Sequence, residues 1–292
     1  MPPMKNHDTL QRFLFDGTDI RGDIVTLESS YQNVVSRQNY PPLVAQLYGE
    51  FLAAASLLSA SLKFPGIISI QVRGDGPLST IMAECTAGTK LRGIVQGDLE
   101  AAEEQITLQG MLGKGTLAIT IEPEGGERYQ GIVPMDAGNL SQCLEFYFQQ
   151  SEQLSTKIKL SASPELAAGI LIQQLPSTGD IEKNITDWEH VSTLLDTVKT
   201  EEQLSLSHND QLYLLFHEEE VRLFDPIAMK FFCSCSKQRT ESALTNLGIT
   251  EMREIIAEQG LVLITCQFCD EEYRFDENYI EALFSGPQAT LH

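Results

Sequence analysis

Two close pairs of cysteines constrain this chain more than anything else in it: Cys233-x-Cys235, a spacer of thirty residues, and Cys266-x-x-Cys269. Each pair offers two sulfurs from one tight turn, and the spacer can bring the turns together. Four thiolates arranged in this way suit a closed tetrahedral metal site, with metal–sulfur bonds of about 2.3 Å for zinc. No histidine lies between residues 233 and 269, so the simple donor set is all sulfur. The other readings of the spacing are two structural disulfides or reduced bystander thiols.

Composition sets the rest of the frame. The chain has 292 residues, 42% hydrophobic and 21% charged, and its length fits one large domain with a smaller one, or two domains and a linker. Formal net charge is −21. Phosphate backbones and anionic membranes repel such a chain, so neither nucleic acid nor membrane is expected as a partner. The first residues, MPPMKNHDTLQRF, carry no apolar signal core, and the longest mostly apolar stretch, 51–62, is too short to span a bilayer. The expectation is a cytoplasmic protein with reduced thiols, which favours metal over permanent disulfides.

The pattern along the chain predicts an α+β fold in three parts. Residues 1–178 read as a sheet-and-helix core domain. Strands are expected at 23–29, 66–74, 78–86, 93–97, 117–123 and 157–160, and helices at 42–62, 140–150 and 164–175. Residues 179–232 read as a helical acidic linker, with 12 Asp/Glu against 4 Lys/Arg. Trp188, Val191, Leu194, Leu195 and Val198 form one apolar stripe there, and Thr200 with Gln203 resembles a capping box. The segment has enough apolar residues to dock and enough charge to survive undocked. Residues 233–292 read as a small metal module. Helices follow Ser236 and Thr250, strands flank the second cysteine pair, and a short helix closes it. A unit of about sixty residues has a thin core, so metal would supply much of its folding energy.

A four-thiolate site leaves no open position for water or substrate, which excludes Lewis-acid catalysis there. Thiolates are nevertheless the form oxidants attack, and each cysteine has a partner two or three positions away. Oxidation would remove the metal, loosen the module and reach the marginal linker. A redox switch is therefore coherent beside the plainer structural-metal reading. A thiol-disulfide oxidoreductase and an interaction protein with constitutive zinc remain alternatives.

The residues resemble a known family, the redox-regulated holdase chaperones called heat-shock protein 33. The likeness is carried by Phe232-Cys233-Ser234-Cys235-Ser236 and by Cys266-Gln267-Phe268-Cys269 with Tyr273 and Phe275. It extends through Asp19-Ile20-Arg21-Gly22, Gly74-Asp75-Gly76-Pro77-Leu78, Tyr129 to Pro134, Tyr147-Phe148, Gln150 to Gln153 and Ile172 to Pro176. Gln238 departs from the expected Glu, at a position that is not a ligand. The resemblance implies one Zn²⁺ per reduced chain, held by Cys233, Cys235, Cys266 and Cys269. It implies that oxidation forms the Cys233–Cys235 and Cys266–Cys269 disulfides and releases zinc. The linker then unfolds, unfolding client proteins are held without ATP, and the active form is a homodimer. Leu194, Leu195, Leu212, Leu214, Leu215 and Phe216 are the expected client-binding residues.

Other signals carry less. Residues 110–116 fail as a phosphate loop, because Leu108 stands where the first glycine belongs and Gly115 where Ser or Thr should follow Lys114, so no nucleotide is expected. Cys85 and Cys143 read as core residues. The five histidines read as surface residues.

Overall fold

The computed structural model describes residues 7–62, 64–176 and 179–285. In chain order the elements are β1 (Thr9–Phe15), β2 (Ile20–Leu27), α1 (Ser29–Gln38), α2 (Pro42–Ser59), β3 (Gly66–Gly74), β4 (Leu78–Thr86), β5 (Lys90–Gly97), α3 (Leu99–Glu103), α4 (Leu108–Leu112), β6 (Gly115–Pro123), β7 (Tyr129–Pro134) and α5 (Leu140–Tyr147). A π-helical turn at Phe148–Glu152 follows. The chain continues as β8 (Thr156–Ala162), β9 (Ala167–Gln174), α6 (Ile181–Asp196), α7 (Thr200–Ser205), α8 (His208–Phe216), β10 (Val221–Leu223), β11 (Ile227–Ala228) and β12 (Lys230–Phe231). Last come α9 (Lys237–Leu247), α10 (Ile249–Gln259), β13 (Val262–Thr265), β14 (Glu272–Phe275) and α11 (Glu277–Ser285). The chain divides into two compact units, Met1–Phe232 and Cys233–His292.

Two six-stranded sheets make the first unit. One has the order β10-β1-β2-β9-β8, with β11 also paired to β1; the other has the order β12-β5-β4-β3-β6-β7. Helix α2 lies between them and touches β4 and β9. Its sequence, PLVAQLYGEFLAAASLLS, is apolar almost all round, as a helix buried on every side must be. Pro42 suits its first turn, where no backbone N–H is needed. At Gly49 the helix comes so close to the first sheet that a Cβ would stand 2.9 Å from the Ala162 methyl group. Phe51, Leu52 and Leu57 of α2 share one core with Val25 and Leu27 of the first sheet and Ile70, Ile81 and Ile119 of the second.

The first sheet is covered on both faces. Its far face offers Phe13, Phe15, Ile20, Ile24, Ile170 and Ile172 to α6 and α8, which return Val191, Leu195, Leu212, Leu215 and Phe216. The double cover explains a correction. Within residues 164–175, expected as a helix, Ala167–Gln174 form strand β9. Its run AAGILIQQ is buried through seven of eight positions, so it lacks the period-two signature of a half-exposed strand. The linker also donates backbone to both sheets: β10 and β11 pair with β1, and β12 runs parallel to β5. At α7 the predicted cap is displaced. Glu202, not Gln203, reaches back to accept from the Lys199 N–H, while Gln203 is buried against the Ser161 hydroxyl at 2.6 Å.

In the second unit, α9, α10 and α11 pack with the β13–β14 hairpin around Leu244, Met252, Val262, Phe275 and Ile280. Ser236 caps α9 through its hydroxyl. The second helix begins at Ile249 rather than after Thr250, with Gly248 as its cap residue. Gly260 ends it in the left-handed region that glycine tolerates, at φ +80°.

Candidate metal centre

The C-x-C pair sits between Phe232 and the start of α9. Arg239, one turn into α9, donates to the Ser234 carbonyl at 3.0 Å and to its hydroxyl at 2.7 Å, which pins the residue between the two cysteines. The C-x-x-C pair lies in the loop joining β13 to β14. There the Asp270 N–H bonds the Cys266 carbonyl at 2.9 Å, and the Cys266 N–H bonds the Glu271 carbonyl at 2.9 Å. Asp270 itself takes a left-handed conformation, φ +57°, to tighten the turn.

These two turns bring all four sulfurs together: the Sγ atoms of Cys233, Cys235, Cys266 and Cys269 lie within 4.8 Å of one another. Cys233 and Cys266 are 3.7 Å apart, Cys235 and Cys269 3.4 Å. A tetrahedron of sulfurs at about 2.3 Å from a central ion has edges of about 3.8 Å, so the spacing fits such an ion. It is far longer than a disulfide bond of about 2.05 Å, and all six cysteines are free. The donor set is thus suited to a soft, thiolate-binding metal.

The surroundings bear unequally on the sulfurs. Burial pushes the Cys233 and Cys269 thiols up. Burial also opposes ionisation at Cys235, yet the Tyr273 hydroxyl, donating to its sulfur at 3.1 Å, brings that thiol below its ordinary value. A bound dication would hold all four as thiolates. Tyr273, quoted above only as part of a motif, thereby gains a contact that no spacing rule could reveal.

The remaining predicted site residues lie in the other unit. Leu195, Leu212, Leu215 and Phe216 are buried against the first sheet, and Leu194 packs at the edge of that cluster. Leu214 is 49% exposed. Trp188 packs on the same cluster. Cys85 and Cys143 are buried, and burial raises both thiols. His208 departs from expectation: it is wholly buried. Among the described residues no helix is long and apolar enough to cross a membrane.

Fold and site together define an α+β protein with a separate four-thiol knuckle. The family described as Hsp33 protein matches residues 8–276. A "33 kDa chaperonin" of Ectopseudomonas mendocina is 46% identical, covering 98% of this chain and 100% of the relative. Another, of Shewanella sediminis, is 47% identical and covers 97% of both. The crystal structure of the 33 kDa chaperonin of Thermotoga maritima, at 22% identity, superposes with a TM-score of 0.81 over 96% of this chain and 98% of that one, which speaks for the fold. The chain belongs to the Hsp33 family.

Proposed function

We propose that this chain is a redox-regulated, ATP-independent chaperone, a holdase rather than an enzyme, that captures unfolding proteins under oxidative stress. The observation that carries the reading is the set of four sulfurs at metal-binding separation in a unit whose own core is thin. Cys233, Cys235, Cys266 and Cys269 would hold one Zn²⁺, which supplies folding energy to the module and keeps the sulfurs ionised.

Oxidation acts on the sulfurs directly. A peroxide takes an electron pair from one thiolate, giving a sulfenic acid and one water. A second thiol then displaces the sulfenic oxygen as another water and closes the disulfide. Two peroxides thus convert four thiols into Cys233–Cys235 and Cys266–Cys269, leaving no thiolate to bind an ion. The module, numbered 233–292, loses its fold, and the linker, 179–232, is freed from the core domain, 1–178. That exposes Leu194, Leu195, Leu212, Leu214, Leu215 and Phe216, four of them buried while docked, as the surface for client chains. Activity in the cytoplasm and dimer formation on activation belong to the same reading.

One titration tests it. Reduced, zinc-loaded protein is treated with stepwise peroxide, and zinc release, Trp188 emission and suppression of a client's aggregation are followed together. The expected result is one zinc lost per chain, a red shift of Trp188 and the onset of holding over the same range. Turnover of a dithiol substrate would favour an oxidoreductase instead. Zinc that survives peroxide would favour a constitutive metal module.

A further inference from the structure

His208 opens α8 and has no solvent exposure. It lies on the far face of the first sheet, where the linker docks. Its Nδ1 is 3.1 Å from Gln11 Oε1 on β1, and its Nε2 is 3.1 Å from Thr26 Oγ1 on β2. The Gln11 amide N–H bonds the Phe224 carbonyl at 2.7 Å, which leaves the amide oxygen toward the ring. The ring is therefore neutral, with Nδ1–H donating to Gln11 and Nε2 accepting from the Thr26 hydroxyl. This network stitches two points of the linker, His208 and Phe224, to two strands of the core.

Among the described residues, burial is the cause that moves the ring, and its bonded partners, Gln11 and Thr26, are uncharged. The ionisable side chains of β1 and β2 are Arg12, Arg21 and Asp23, and all belong to the sheet's other face. Arg12 pairs with Asp23 and reaches the Ala60 carbonyl, and Arg21 bonds Gln173. Strand β11 has none. On α7, Glu201 is exposed and Glu202 faces the Lys199 N–H. On α8, Asp210 accepts from the Ser207 hydroxyl. A second ring proton would place a cation in a dry interface, at the first turn of a helix, where the backbone dipole also opposes it.

We propose that His208 is an acid-operated latch, giving this chain a second route to linker release that needs no oxidant. The idea rests on the reading that the freed linker is the active state. Burial holds the docked ring near pKa 4, against about 6.5 when free. The docked state thus favours the neutral ring. Docking is fully supported above about pH 6.5 and weakens as pH falls toward 4. The linked docking constant drops about 20-fold between pH 7 and pH 5.

The test uses full-length, zinc-loaded protein in excess reductant, titrated from pH 7.5 to 4.5. Trp188 emission reports undocking, a dye reports zinc, and the ¹³Cε1 resonance of His208 reports its charge. Wild type should undock over this range, while His208→Gln, which stays neutral, should undock at least one pH unit lower, and zinc should leave both proteins at the same pH. Equal undocking midpoints in the two proteins would overturn the latch and leave thiolate protonation as the cause. So would a His208 resonance that titrates near 6.5 in docked protein, a measurement that stands even if the variant folds poorly. A wild type that stays docked at pH 4.5 also overturns it. Undocking at acid pH without suppression of client aggregation would instead sink the reading of the freed linker and leave the latch intact.

Discussion

The two units reach a fold by different means. In the first, α2 is gripped between two sheets, and buried apolar side chains from both run into one continuous core. In the second, among the described residues, five buried apolar side chains hold three helices and a hairpin together. Surface ion pairs such as Arg253 with Glu281, at 2.6 Å, add little to so small a core. Hydrophobic burial carries the first unit, whereas the second sets four sulfurs at metal-binding separation beside a core of five buried apolar side chains. On the proposed reading, loss of metal would unfold the second unit and free the linker of the first, while the core around α2 stays folded.

The largest expected effect separates them outright. Removing metal from reduced protein with a strong chelator should withdraw about 10–16 kcal/mol of binding energy from the module. Amide exchange should become fast across 233–285 and stay slow in α2 and β3. Slow exchange in the stripped module would erase the contrast. The reverse cut is Phe51→Ala, which empties a fully buried site in α2. It should cost the first unit about 3–5 kcal/mol in a denaturant titration while whatever metal the second unit binds is retained.

A smaller effect concerns Glu50, also on α2. Burial raises its carboxyl to about 7. It faces a cavity of about 260 Å³ shared with Lys157, Lys159 and Asp196, which screens part of the penalty. A carboxyl raised on folding destabilises above its folded pKa, and the loss is recovered as pH falls through 7. Glu50→Gln should therefore stabilise the first unit by ~1–2 kcal/mol at pH 8 and scarcely at pH 5, read from thermal unfolding. Acid would tighten this core while loosening the His208 contact, so a uniform acid response of α2 and α8 would blur the distinction.

The site was more legible than the fold around it. Cysteine spacing alone located the four sulfurs, because a thiolate cluster needs short local loops and those are written in consecutive residues. Strands β3 and β4 were also readable to the residue, since alternation and Asp75-Gly76-Pro77 punctuate them. Strand β9 was not, because a strand covered on both faces and a buried helix share one composition. Helix α1 and strands β10 to β12 left little periodic trace: the strands run for two or three residues and form because their partners are already in place. His208 was misread for a related reason. Burial of a polar ring depends on Gln11, some two hundred positions away, and no local pattern encodes it.

Strand β1 pairs on one side with β2, made next, and on the other with Val221–Leu223 and Ile227–Ala228, made near the end. During synthesis that edge of β1 must therefore wait unpaired while some two hundred residues leave the ribosome. Closing that edge brings together the most distant parts of the unit and should be its slowest step to assemble.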